Sequence, residues 1–366
     1  MIARKRIAFF MDALHGGGAE KVVVNLLEGL VKQDKFDLDL ILATKEGPYL
    51  DRVPEQVRII DLQKDRAVTA TLPLMRYLRQ NQPWVLIGNM GHVNVVASIA
   101  KELARTKTRL LLVEHNTLSV SKTNLKRAKL VRLLMKWLYP RANAIAGVSI
   151  GVAQDLEQQL ELNRKVKVLN NPVVNEALIA QSQADLKHPW FSADLPPVFL
   201  AVGRLDRQKD FSNLLHAFAL VKKQKDARLI ILGEGSEREK LEAIVEDLNL
   251  KEDVLLPGFV KNPYAYMKRA SCFVLSSKYE GLPTVLIEAM ACGCPVVATN
   301  CPSGPDEILE HGTYGALVPV GDSKALAKAM IETLENSPKT ELLMQRSHEY
   351  STEKVVATYL SLLDRL

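Results

Sequence analysis

The chain has 366 residues, 47% hydrophobic and 25% charged, proportions that exclude a disordered protein and a length that suits two domains rather than one core. Its formal charge of +6 is uneven: residues 1–175 carry 27 Lys/Arg against 16 Asp/Glu, and residues 176–366 carry 21 against 26. No apolar run approaches the ~20 residues that span a bilayer, so no membrane-crossing helix is expected.

The N-terminus has basic residues and then a short apolar stretch that runs into Asp12, His15 and three glycines. That is the pattern of a first strand, not of a signal peptide with a small-residue cleavage site. Strands are predicted over 6–11, 38–43, 57–61, 84–89, 109–115 and 144–149, with helical patterns at 21–33 and 93–104. Continuous apolar strands separated by helices predict a parallel sheet covered on both faces. Gly16, Gly17 and Gly18 stand between the first strand and its helix. Consecutive glycines let backbone N–H groups approach an anion, and a helix start adds a favourable dipole. The run is neither a Walker A loop, because Lys21 lacks the G-K-[ST] context, nor G-x-G-x-x-G. A plain turn would need one glycine; three favour a ligand.

Residues 121–142 contain seven Lys/Arg and no acid, and no acid occurs between Glu114 and Asp155. Wound at the helical period, Lys129, Arg132 and Lys136 fall on one edge, and Leu130, Leu133, Leu134, Trp137 and Leu138 fall on the opposite face. The ordinary expectation is an apolar face packed on the core and a solvated basic edge. An all-basic polar side with an aromatic neighbour also suits a helix lying on anionic lipid. Lys126, Arg127, Lys129, Arg132, Lys136 and Trp137 would be its contacts.

The strand–helix pattern then restarts, with strands predicted at 198–205, 227–235, 253–259, 272–277 and 295–300. Ser236 and Glu239 have the spacing of a capping box ahead of the 236–250 helix. The domains predicted are 1–175 and 196–349, joined by a linker at 176–195, with a closing helix at about 350–366 packing back on the first. Two doubly wound domains place a ligand at the carboxyl ends of their strands, in the cleft between them. Cys272, Cys292, Cys294 and Cys301 form no C-x-x-C pair and read as buried free thiols of a reducing cytosol. His15 and His92 sit near strand ends, where they could line the cleft, although surface or structural roles are the commoner outcome.

After the first strand of the second half comes GRLDRQKDF. Gly203 permits a tight exit, and a guanidinium at Arg204 with an ammonium at Lys209 suits a diphosphate, although two solvated cations are the commoner outcome. Farther on, YEGLPTVLIEAMACGCPVVATN places Glu280 before a turn and Glu288 eight positions later. Pro283 suits a helix start, leaving the N–H groups of Thr284, Val285 and Leu286 for an anion. A carboxylate accepts from two vicinal hydroxyls, so each Glu suits a sugar. An anion with a polyol on either side describes a nucleotide sugar.

The E-x7-E spacing of Glu280 and Glu288 is followed by A-M-A-C-G-C-P-V-V-A-T. With G-G-A-E at 17–20, E-H-N at 114–116, N-P at 171–172, G-R-L with Lys209 and G-E-G at 233–235, it resembles family 4 of the retaining glycosyltransferases. The resemblance implies a GT-B fold: α/β, with two Rossmann-like doubly wound domains facing a central cleft, the first (1–175) binding the acceptor and the second (196–349) the nucleotide sugar. It implies that Glu280 contacts donor-sugar hydroxyls and Glu288 the ribose, and that Arg204 and Lys209 hold the diphosphate. The turn Gly281, Leu282, Pro283 and the helix start Thr284, Val285, Leu286 complete the donor site. Gly16 and Gly17 would approach donor phosphate and acceptor, His115 would lie beside the reacting sugar, and backbone near Phe259 and Val260 would meet the base. Many members read E-G-F-G where this chain reads E-G-L-P-T, which bears on sugar-pocket shape. Catalysis is assigned to Glu280, His115, Arg204 and Lys209, by front-face attack of the acceptor, with no metal and no cofactor.

The partners expected are a nucleotide-sugar donor, UDP favoured and GDP second, a glycan or lipid-linked acceptor and an anionic membrane surface. A cytoplasmic protein peripheral to the inner face of the cytoplasmic membrane follows. A nucleotide-sugar epimerase of the same fold and a non-catalytic nucleotide-sugar binder are the alternatives. Nucleic acid is not expected, because only 6% of residues are aromatic and no stacking cluster lies among the basic ones.

Overall fold

The structure is a computed structural model that describes residues 4–120, 125–192, 195–336 and 338–366, and only the backbone of 125–128. The chain divides into two compact units, Met1–Pro172 with Thr352–Leu366, and Val173–Ser351.

The first unit is built on strands β1 (Lys5–Met11), β2 (Phe36–Leu42), β3 (Val57–Asp61), β4 (Val85–Asn89), β5 (Arg109–Glu114), β6 (Ala144–Gly147) and β7 (Lys167–Val168). They form one parallel sheet in the order β3-β2-β1-β4-β5-β6-β7. The chain winds outward from β1 in one direction, then returns and winds outward from β4 in the other. Ile7 to Met11 are wholly buried, as expected of a strand covered on both faces, where each large apolar side chain contributes about 1.5–3 kcal/mol.

The second unit repeats the plan with β8 (Val198–Val202), β9 (Arg228–Leu232), β10 (Val254–Gly258), β11 (Cys272–Leu275), β12 (Val296–Thr299) and β13 (Ala316–Val318). Its order is β10-β9-β8-β11-β12-β13, again parallel, so the direction reverses between β8 and β11. Phe199, Phe218, Leu229 and Ile231 are wholly buried in its core. Strands β7 and β13, only two and three residues long, carry too little pattern to be predicted.

The closing helix, Thr352–Leu363, packs on the helix Gly18–Val31. A Cβ on Gly29 would lie 2.5 Å from Cγ2 of Thr352, so the absence of a side chain sets how closely the two helices approach.

Two expectations are corrected. The segment read as a linker at 176–195 opens with a helix, Glu176–Ser182, that packs against Tyr264–Arg269. Asn175 is its cap, accepting from the Leu178 N–H at 2.8 Å, so a polar residue read as loop is a helix start. Ser236 and Glu239 form no capping box: the helix begins at Arg238 with no side-chain cap. The backbone N–H of Glu237 donates instead to the carbonyl of Leu205 at 2.9 Å, which ties this turn to the loop after β8.

Candidate active site

In an open α/β sheet, ligands bind at the carboxyl ends of the strands where the winding reverses. In the second unit that place lies between the loops that follow β8 and β11. Their backbones are joined directly, the Lys278 N–H donating to the Gln208 carbonyl at 2.8 Å. Ser276 Oγ donates to the carbonyl of Lys209 at 2.7 Å, and Thr299 Oγ1, at the end of β12, donates to the carbonyl of Ser277 at 2.6 Å.

Across this junction Lys209 Nζ meets Glu280 Oε1 at 2.6 Å. Ser277 Oγ donates to the same oxygen at 2.6 Å, and Gln208 Nε2 reaches the other at 3.3 Å. The pair is largely buried, 16% of the Lys209 and 7% of the Glu280 side chain being exposed. At such burial, deleting one partner strands the other charge and costs about 3–5 kcal/mol. Gly203 makes room for the lysine, since a Cβ there would stand 3.1 Å from its Cε.

Glycines form the backbone contacts beneath. Gly233, with φ +142°, donates its N–H to the Gly258 carbonyl at 2.8 Å. A Cβ on Gly233 would overlap the carbonyl oxygen of Gly203. The G-E-G at 233–235 is therefore a site where strand exits press together.

Glu280 leads through Gly281 and Leu282 to Pro283, which precedes the helix Thr284–Ala291 without a side-chain cap. The Thr284 and Val285 N–H groups lie where no intrahelical partner exists. The Leu286 N–H, expected to serve an anion, donates to the Pro283 carbonyl at 3.0 Å, because the first turn is tight. Glu288 is buried farther along this helix. Ser303 and Gly304 were missed by sequence reasoning: Ser303 Oγ donates to the Gly281 carbonyl at 2.7 Å, and a Cβ on Gly304 would overlap the Pro283 ring. Gln208 and Ser277 were missed as well; their nearness to Lys209 and Glu280 in sequence was the available clue.

Arg204 has 76% of its side chain exposed, with Asp206 at 3.6 Å. Phe259, just past β10, is 77% exposed, with half-buried Val260 beside it. The four cysteines are buried free thiols, and burial pushes Cys292 and Cys301 up to about 12.

In the first unit, Gly17 stands at the start of the helix Gly18–Val31, with φ +100° at Gly16 before it. The Glu20 carboxylate folds back over Gly17 into the space a side chain there would fill. An acid of the protein's own thus occupies the position where a helix dipole favours an anion.

His115 is buried, its Nε2 3.4 Å from Asn89 Oδ1, and burial lowers its pKa to about 4, so the imidazole is neutral near pH 7. Beside it, burial raises Glu114 to about 7 against the opposing donors Tyr139 and Asn94. The Tyr139 hydroxyl donates to Glu114 Oε1, and Asn94 Nδ2 donates to the same oxygen at 2.8 Å.

Residues 182–350 match the family described as glycosyl transferases group 1, and residues 16–176 match glycosyltransferase family 4. An N-acetylgalactosamine-N,N'-diacetylbacillosaminyl-diphospho-undecaprenol 4-alpha-N-acetylgalactosaminyltransferase of Campylobacter jejuni is 32% identical over 350 residues, 91% of each chain. The chain belongs to the family 4 glycosyltransferases. Two solved structures share its GT-B fold. Sucrose-phosphate synthase of Thermosynechococcus elongatus has a TM-score of 0.81 at 22% identity, over 99% of each chain. Anabaena HepE, in complex with UDP and glucose, has a TM-score of 0.79 at 21% identity, over 99% of this chain and 100% of its own.

The basic helix of the transferase, Leu125–Leu138, corrects the ordinary expectation for its two faces. Its basic edge is tied down: Arg132 donates to Gln159 Oε1 at 3.1 Å and to the Leu118 carbonyl at 2.6 Å, and Lys136 meets Glu161 at 2.5 Å. Leu130, Leu133 and Trp137 are instead 57%, 65% and 61% exposed. Met135 and Leu138, one step round the helix, supply the buried contact. Arg141 stacks on Trp137 at 3.6 Å, and Lys129 is exposed. Lys126 and Arg127 lie outside the described side chains.

Proposed function

We propose that the transferase moves a hexosyl unit, with retention, from a UDP-sugar, a GDP-sugar being the second choice, to a hydroxyl of a lipid-linked or cell-envelope glycan. The observation that carries this reading is the Lys209–Glu280 pair, set where the winding of the second sheet reverses and leading into an uncapped helix start. A diphosphate arriving there competes with Glu280 for Lys209 and frees the carboxylate for sugar hydroxyls. As the bond from the anomeric carbon to the diphosphate oxygen breaks, negative charge grows on the phosphate. Lys209, Arg204 and the N–H groups of Thr284 and Val285 are suited to stabilise it without a metal. The acceptor oxygen then bonds to the anomeric carbon on the same face, and its proton passes to the departing phosphate. Glu280, held by Lys209, Ser277 and Gln208, acts as a binder; a nucleophile would have to stand on the opposite face. Glu288 takes the ribose. The name of the Campylobacter relative, a transferase acting on a diphospho-undecaprenol, supports a lipid-linked acceptor.

A thermal-shift screen against UDP, GDP, ADP and their common sugars, without added metal, tests the donor reading. One nucleotide class should stabilise the wild type and fail with Glu288→Ala; no shift with any of them contradicts the reading.

Peripheral attachment to an anionic membrane belongs to the same proposal, supported by the exposed Leu130, Leu133 and Trp137 within a basic half-chain. In this form the apolar face enters the lipid, while Arg132 and Lys136 hold the helix to the protein. Leu133→Ser with Trp137→Ser should lower co-sedimentation with phosphatidylglycerol vesicles at least tenfold, and Lys136→Ser by less than threefold. Equal sedimentation of wild type and the double variant contradicts it.

A further inference from the structure

Lys209 and Asp210 are consecutive residues on the loop after β8, and both reach the loop after β11. Lys209 meets Glu280 there, and Asp210 Oδ1 stands 3.0 Å from Nζ of Lys278, two positions before that glutamate. Two ion pairs of opposite polarity thus join the same two loops. The Asp210 carboxylate is largely buried, 9% of its side chain being exposed, while Lys278 approaches it from the solvent side.

Asp210 stands directly before the helix Phe211–Lys222, where an aspartate ordinarily accepts from the free N–H groups of the first turn. Its side chain makes no such cap hydrogen bond and is turned to Lys278 instead. Its backbone, at φ +48°, lies in the left-handed region. Glycine takes that conformation at the least cost, and aspartate is one of the few other residues that tolerate it. A carboxylate is what a glycine there would not supply.

The backbone of Lys209 is held from both loops. Asp206 Oδ1 accepts from the N–H groups of Gln208 at 3.0 Å and Lys209 at 3.3 Å, and Ser276 Oγ takes the Lys209 carbonyl from the other side. The ammonium is held by Glu280, the contact that an arriving diphosphate breaks.

We infer that Asp210 and Lys278 are positioning residues, whose ion pair keeps the two loops in register while Lys209 exchanges Glu280 for the diphosphate of the donor. This role rests on the donor reading proposed above and deepens it. The pair touches no reacting atom and acts through Lys209. As bare charges the two residues would have opposite effects: Asp210, an anion one position from the receiving lysine, would repel a diphosphate, and Lys278 would attract it. As a brace, both favour the ligand.

Calorimetric titration of UDP, GDP and ADP into the full chain, without added metal, reads the sign of each effect. Asparagine keeps the shape of aspartate and tolerates the left-handed backbone, and methionine keeps an unbranched stem at Lys278. Asp210→Asn and Lys278→Met should each weaken the nucleotide that wild type binds at least fivefold. Asp210→Lys and Lys278→Asp together should bind it at least threefold tighter than either alone, whereas bare charge places the combination between the two. Tighter binding in Asp210→Asn, unchanged binding in both neutral variants, or no recovery in the reversed pair overturns the inference. A second measurement needs no ligand. In a double-mutant cycle of Lys209→Ala and Glu280→Ala, followed by denaturant unfolding, the coupling expressed as a ratio of unfolding constants should fall at least threefold when Asp210→Asn is present. Equal coupling in both backgrounds also overturns the inference. Wild type that binds none of the three nucleotides, with the coupling still dependent on Asp210, contradicts the donor reading and supports the brace.

Discussion

The two sheets reverse their winding in the same way, yet their polar groups are satisfied differently at that point. In the second unit the charge is closed on itself, Lys209 and Glu280 lying 2.6 Å apart with Ser277 and Gln208 supporting the carboxylate. In the first unit His92 and Asp12 are 3.4 Å apart, and the neighbouring Asp12 Oδ1 and Asn89 Nδ2 have no hydrogen bond among the described residues. A closed pair yields to a ligand that brings charge of its own, as a diphosphate does. Orphan dipoles yield to a ligand that brings neutral hydrogen-bonding groups, as a sugar does.

The largest effect that would break this comparison is on transfer itself. Lys209→Ala and Glu280→Ala should each reduce kcat/KM at least a thousandfold, a loss of about 4 kcal/mol of transition-state stabilisation. In denaturant unfolding, each single variant should lose about 3–5 kcal/mol, and the double variant less than their sum, because no charge is left stranded. Additive losses would mean that the pair does not act as a unit.

Next come the glycines beneath the second site. Gly233→Ala should lower stability by more than about 3 kcal/mol, through overlap with the Gly203 carbonyl and a φ closed to alanine. Gly18→Ala, with nothing within 4 Å of the added methyl, should be neutral or gain up to about 1 kcal/mol. Equal losses would show that the tight backbone contacts are not special to the second site.

The smallest effect is a pH dependence in the first unit. Burial lifts Glu114 from 4.5 to about 7, so its folded state prefers the proton. That preference stabilises the fold below pH 4.5 and is lost as pH rises through about 7. His115 runs the other way, lowered from 6.5 to about 4, and it costs stability as pH falls through that window. Glu114→Gln should therefore stabilise most at pH 8, by on the order of 3 kcal/mol, with the gain vanishing near pH 4.5. A gain independent of pH would place the carboxylate outside the titration.

The sheets were legible because parallel strands buried on both faces are uniformly apolar, as in RIAFFM and LIIL. The strands of two or three residues, Lys167–Val168 and Ala316–Val318, were not, since so little sequence carries no period. Glu280 and Lys209 were legible as ligand-bearing types, but their mutual contact was not, because 71 positions separate them and only the strand order brings them together. The contact of His92 with Asp12 escaped for the same reason, the two being 80 positions apart. The basic helix misled in a different way. Its period put Leu130, Leu133, Trp137 and Leu138 on one core-facing side, whereas of these only Leu138 is buried, and Gln159 and Glu161 on a neighbouring segment engage Arg132 and Lys136.

Calorimetric titration of UDP, without metal, into wild type, Lys209→Ala and Asp12→Asn tests the central claim most directly. The account predicts at least tenfold weaker binding in Lys209→Ala and affinity within twofold of wild type in Asp12→Asn. Unchanged binding in Lys209→Ala, or an equal loss in both variants, would contradict the assignment of the anion to the second sheet alone.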